Sequence, residues 1–202
     1  MVAALLALAL WLVKLQSARV VQVPELPVIS QVPAFALTNQ LGQTVTLENL
    51  KGRVWVADII FTRCAGPCPL MTHKLREVQD ALPSESKAQL VTLTTDADAD
   101  SPAVLLKYAE KFGANSQRWN FLTGDKRIIA NLAMDGLKLT AVVKKPEERT
   151  DPADLFVHST IFVIVDKQGQ LRGSFQTQGE MVDWAESKRQ MLATIKKLES
   201  EP

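Results

Sequence analysis

A chain of 202 residues with 47% hydrophobic side chains can bury one sizeable core but not two full domains. Its 23 Lys and Arg against 22 Asp and Glu leave no net field to hold nucleic acid or a strongly charged substrate, so nucleic-acid binding is set aside. With two cysteines in all, structural bridging beyond one disulfide is excluded.

The chain opens on an uncharged apolar run, Met1 to Val13, ended by Lys14. The run is shorter than the roughly 20 residues that span a bilayer, no basic stretch precedes it, and no small-x-small cleavage site follows. A buried amphipathic helix would need a polar face, and none is present. Residues 1–15 are therefore expected to be a hydrophobic anchor or signal segment. The remaining chain then faces the periplasm or another extracytoplasmic space. Pro24, Pro27 and Pro33 mark residues 16–33 as an extended tether, and the domain is expected to occupy 34–202.

Phe35–Leu37 and Thr44–Leu47, joined across Asn39–Gly42, predict a short hairpin. Val54–Phe61 is nearly continuous apolar sequence, the pattern of a strand covered on both faces. Leu70, Met71, Leu75, Val78 and Leu82 recur at helical spacing before Pro83, and Gln89–Thr94 reads as a second buried strand. Strand, helix, strand implies a parallel unit. Ser101–Pro102 caps a further helix ending at Gly113, and residues 128–134 suggest a short one. Ile161–Val165 and Gln170–Phe175 form an antiparallel hairpin about Asp166–Gly169, and a last helix is expected from about Glu180. The fold class is thus α/β, a central mixed sheet with an added N-terminal hairpin and flanking helices.

Between the first buried strand and its helix stands Phe61-Thr-Arg-Cys64-Ala-Gly-Pro-Cys68-Pro69, which holds both cysteines. A helix starting near Pro69 would put Cys68 at the cap and Cys64 in the loop before it, where the helix's positive end lowers thiol pKa values. Two sulfurs four positions apart can close a disulfide across the turn or chelate one soft metal ion, and inert buried cysteines are the third alternative. An oxidising compartment would close the pair unless something keeps it reduced.

Four ordered stretches carry a family resemblance. They are Phe61-Thr62-x-Cys64-x-x-x-Cys68-Pro69, Leu93-Thr-Thr-Asp96 with Asp100 and Pro102, Trp119-Asn-Phe-Leu-Thr-Gly124, and His158-Ser159-Thr160 ahead of a strand ending Asp166-x-x-Gly169. From about Val32 to the last helix the chain resembles the Sco (SenC) family of thioredoxin-like copper-binding proteins of cytochrome c oxidase assembly. The resemblance implies a thioredoxin-like fold and Cys64, Cys68 and His158 as copper ligands. Two thiolates and an imidazole suit Cu(I), and Cu(II) where further nitrogen or oxygen joins them. The implied partners are a copper-receiving subunit of cytochrome c oxidase and a thioredoxin-like reductant, with the membrane engaged through the N-terminal segment.

The chain departs from that pattern where family members commonly carry Pro after the first cysteine. Ala65-Gly66-Pro67 stands there instead, a Gly-Pro-Cys ending like that of thioredoxin redox motifs. Thiol-disulfide exchange, with Cys64 attacking and Cys68 resolving, is therefore the alternative to a copper chaperone, and a peroxide-reducing or redox-signalling protein the third possibility. Thioredoxins proper use two intervening residues and a cis-proline beside the pair, and no proline occurs in His158–Ile161. The charged, proline-broken segment 144–154 is expected to be a mobile loop that lets His158 swing on and off a metal.

Asp96, at a strand end near the cysteine loop, is a candidate to influence the site from behind the ligands, or to organise the turn before the Ser101 cap. The Asp96, Asp98, Asp100 run does not make a calcium loop, because Ser101 stands where glycine is needed and Lys107 where glutamate is. His73 falls on a different helix face from Cys68 and reads as a surface residue.

Overall fold

A computed structural model describes residues 25–149 and 156–202, with the side chains of residues 141, 143, 146 and 158 outside that description. Among the described residues ten strands form: β1 (Ser30–Gln31), β2 (Ala36–Asn39), β3 (Thr44–Thr46), β4 (Trp55–Ile60), β5 (Gln89–Thr94), β6 (Trp119–Thr123), β7 (Ala141–Val143), β8 (Phe156–His158), β9 (Ile161–Val165) and β10 (Gln170–Gln176). The helices are α1 (Leu47–Leu50), α2 (Pro67–Ala81), α3 (Pro102–Lys111), α4 (Lys126–Asn131) and α5 (Trp184–Ser200). A π turn, Leu132–Gly136, continues α4.

Eight strands make one mixed sheet in the order β1-β10-β9-β4-β5-β6-β2-β3. β4, β5 and β6 run parallel, while β9 joins β4 antiparallel and β2 joins β6 antiparallel. The sequence explains the centre. Every residue of β4 and of β5 is buried, as expected of strands covered on both faces. The two-residue period sends Val54, Val56 and Ile60 to one layer with Met71 and Leu75 of α2, Leu105 of α3 and Ile195 of α5. Trp55, Ala57 and Ile59 go to the other, with Leu47 and Leu50 of α1 and Ile129 of α4. Truncating one such fully buried aliphatic side chain to alanine costs about 2–5 kcal/mol, so these layers hold the sheet far more firmly than any surface pairing.

The expected hairpins, buried strands and capped helix are present. Ser101 caps α3 by accepting the Val104 N–H, and Asp166–Gly169 turns β9 into β10. Three differences are informative. Ser30 and Gln31, inside the stretch read as a tether, pair with Leu171 and Gln170 of β10 and bury Val32 behind them. The last helix starts at Trp184 rather than Glu180, because Asp183 accepts the Glu186 N–H as its cap, leaving Met181 exposed before it. β7 and β8 form a separate two-stranded sheet, with Ala141 opposite His158 and Val143 opposite Phe156. Among the described residues, no helix is long and apolar enough to cross a membrane, and the predicted anchor at 1–15 lies outside them.

Candidate functional site

The carboxyl ends of β4 and β5 open at one pole of the sheet, where the loop 61–66 carries the cysteines into α2. The helix begins two residues earlier than its spacing suggested. Gly66 is the N-cap and Pro67 the first helical residue, which corrects Cys68 from the cap to the first turn. The reason is local: Pro67 presets helical φ, and a proline at the first position sacrifices no hydrogen bond.

That shift divides the two thiols. Cys68 points into the core and is fully buried, while Cys64 is half-buried at the surface. No disulfide joins them in this structure. A Cβ built on Gly66 would lie 3.8 Å from the Cys64 sulfur, so that sulfur sits over the start of α2.

The expected lowering of thiol pKa does not hold for Cys68. Its thiol is pushed well above the ordinary value, first by the neighbouring Cys64 side chain, then by burial, with the Phe61 backbone opposing and the charge of Asp58 adding. The helix start is also a weaker positive end than usual. Of Gly66, Pro67, Cys68 and Pro69, the two prolines carry no N–H. Asp58, fully buried on the same face of β4, also helps to hold the Tyr108 phenol above its ordinary range, where burial is the main cause. Tyr108 Oη and Thr72 Oγ1 are 2.9 Å apart, and Thr72 Oγ1 donates to the Cys68 carbonyl at 3.0 Å, so α2 is tied to α3 directly behind the second cysteine.

The first half of the loop is clamped from the end of β5. Asp100, fully buried, accepts from the Thr62 N–H at 3.1 Å and the Thr62 hydroxyl at 2.5 Å, and from the Thr94 hydroxyl. Arg63 donates to Asp96 at 2.5 Å, and Thr94 Oγ1 accepts the Asp96 N–H at 3.0 Å. Asp96 thus meets the loop through Arg63. Thr62 and Asp100 fall within the recognised stretches, yet no local spacing announces a contact across 38 positions.

The histidine-bearing segment approaches from the other side. Phe156, at the start of β8, packs its ring on Phe61 with centroids 5.0 Å apart. Two residues past His158, the Thr160 carbonyl accepts the Thr177 N–H at 3.1 Å and hydroxyl at 2.6 Å. Lys74 of α2 donates to the Thr177 carbonyl, and Gln178 Nε2 donates to the Pro67 carbonyl at 3.5 Å. The backbone of 156–160 is therefore linked both to the root of the cysteine loop and, through 177–178, to α2. The His158 side chain itself lies outside the described side chains, and among those described no group of three or more His, Cys, Asp or Glu is placed to hold a metal ion. In the preceding segment Pro146–Glu148 winds one 3-10 turn, and residues 150–154 of the loop predicted at 144–154 lie outside the described residues. His73 is exposed and sets its ring edge against Phe112, as a surface residue of α2.

Comparison with known proteins adds to this geometry. The family model SCO1/SenC matches residues 27–197. A SCO1 protein homolog of Bacillus subtilis (strain 168) is 35% identical over 147 residues, 72% of this chain and 73% of that protein. The structure reporting a disulfide switch in BsSco, a member of the Sco family of cytochrome c oxidase assembly proteins, is 30% identical. It superposes with a TM-score of 0.71 over 87% of this chain and 97% of its own. Yeast Sco1 with copper bound is 25% identical, with a TM-score of 0.67 over 83% of this chain and 89% of its own. The thioredoxin-like architecture is shared with these Sco structures.

Proposed function

The chain belongs to the SCO1/SenC family, and from that premise we propose that it is an extracytoplasmic copper chaperone, held to the membrane by residues 1–15, that delivers copper to a subunit of cytochrome c oxidase. Copper is its cargo, bound by Cys64, Cys68 and His158. The observation that carries the reading is the convergence of two adjacent, unbridged cysteine side chains with the β8 segment, through Phe156 on Phe61.

Two thiolates and an imidazole form a soft, three-donor set suited to Cu(I). Cys68 comes from a buried helix turn and Cys64 from a half-exposed loop, so one ligand is fixed and one can be reached from outside. Release by ligand exchange needs that asymmetry, because the recipient must engage the ion before the donor lets go. Binding must also displace the proton that Cys64 and burial hold on Cys68, so uptake should release protons and weaken as pH falls.

The test is a Cu(I) titration of the reduced full chain against a competing chelator, repeated with His158→Ala and Cys64→Ser. Loss of an outer residue around a metal usually costs about 10- to 100-fold in affinity, so loss of a true ligand should cost more. Unchanged affinity in His158→Ala would remove that residue from the ligand set.

A second reading is thiol-disulfide exchange, favoured by the same exposed-and-buried division of the pair. The Cys64 thiolate would attack a partner disulfide and expel one partner thiolate. Cys68, on losing its proton, would then attack the Cys64 sulfur, releasing the partner as a dithiol and leaving Cys64–Cys68 oxidised. Partner reduction by the His158→Ala variant with copper affinity unaltered would favour this reading over the first.

A further inference from the structure

At the pole opposite the cysteine loop, a cavity of about 770 Å³ opens between the start of β4, the 81–87 segment after α2 and the last turns of α5. Its wall includes the apolar Leu82 and Leu192, and its rim carries Arg53, Lys87, Lys167 and Lys196. Facing these four cations are two carboxylates, Glu85 and Glu199. Glu199 is already engaged, accepting the Ser86 hydroxyl and the Lys87 N–H at 2.9 Å each. Lys167 donates to the Glu199 and Glu201 carbonyls, whereas among the described residues Arg53, Lys87 and Lys196 make no ion pair and stand exposed.

A second observation concerns where the N-terminal segment joins the domain. The Arg172 guanidinium donates to the Leu26 carbonyl at 2.7 Å and to Asp166 and Glu201 at 2.8 and 3.2 Å. Residue 26 is thereby tied to the Asp166–Gly169 turn and the end of α5, the elements that border the cavity through Lys167 and Ser200. The described chain, from residue 25 onward, thus enters the domain beside the basic rim and not beside the cysteines.

We propose that this pole is the membrane-facing surface, and that the groove takes an anionic phospholipid, its phosphate at Arg53, Lys87 and Lys196 and an acyl chain along Leu82 and Leu192. The proposal rests on the reading of residues 1–15 as a membrane segment. Its consequence is orientation: the cysteine loop is turned away from the lipid, towards an incoming partner. Apolar lining with a few convergent charges suits one amphiphilic anion, and basic side chains beside an anionic leaflet attract it within a Debye length.

The experiment is amine footprinting of the full chain on nanodiscs of phosphatidylcholine alone and of phosphatidylcholine with phosphatidylglycerol. Residue-level modification of Lys87, Lys196 and Lys126 is read, the last lying at the cysteine pole. On phosphatidylglycerol, Lys87 and Lys196 should be protected about fivefold more than on phosphatidylcholine, with Lys126 unchanged. Arg53→Glu should abolish most of that difference while leaving the attachment. Equal modification on both lipids, protection of Lys126 matching that of Lys87, or protection surviving in Arg53→Glu would overturn the proposal. Cu(I) retention is measured on the same samples. Lost lipid selectivity with copper binding intact removes this surface and spares the chaperone reading; failure to attach to either nanodisc removes the anchor and this proposal together.

Discussion

Asp100 and Thr62 meet twice, the buried carboxylate taking both the backbone N–H and the hydroxyl of the residue two places before Cys64. A third bond, from Thr94, ties the same carboxylate to the end of β5. The cysteine loop is therefore held by a charge-assisted polar knot at its root and left open at Ala65 and Gly66, which are exposed.

Removing the knot should cost global stability. Asp100→Ala leaves a half-buried N–H and two hydroxyls without their acceptor, and we expect a loss of about 3 kcal/mol, read as a fall in the urea midpoint. Asp100→Asn keeps one carbonyl acceptor and should lose about half as much. Equal stability in the alanine variant would show that the loop is held by packing alone.

Arg63 should behave differently. Its pair with Asp96 is exposed on the arginine side, at 58% against 11%, and pairs of that kind contribute at most about 1 kcal/mol. Arg63→Ala should leave the urea midpoint nearly unchanged while speeding alkylation of Cys64 next to it. A large fall in global stability would instead place this pair within the knot.

Cys68 makes the reduced protein sensitive to alkali. Its folded pKa is raised, by Cys64 first and by burial second, above the ordinary value near 8.5 that it regains on unfolding. At high pH the unfolded chain therefore binds fewer protons than the folded one. The stabilisation is fully present below about pH 8 and is lost as pH rises from there towards the folded pKa. The urea midpoint of the reduced protein should fall between about pH 8 and pH 10, and Cys68→Ser should flatten that slope whatever it does to the midpoint itself. A slope unaffected by the substitution would assign the alkaline loss to other groups.

Much of the frame is legible in the sequence. The unbroken apolar runs of β4 and β5, the helical spacing before Pro83 and the Ser101–Pro102 cap each carry their own local cause, so they appear where expected. β7 and β8, three residues each, were not legible, because such short strands exist only by pairing with one another. The start of α2 lies two residues before its expected place because both Pro67 and Pro69 are acceptable first positions, and propensity does not choose between them.

From the order of residues alone came the pair of cysteines at a strand-to-helix junction, the ordered stretches around them, and the apolar first segment. Those are properties of neighbours along the chain. Which thiol is buried, which carboxylate anchors Thr62, and which pole the basic groove occupies were decided only when β4, β5, α2 and α5 packed together, since burial and long-range hydrogen bonds belong to surfaces that local sequence does not contain.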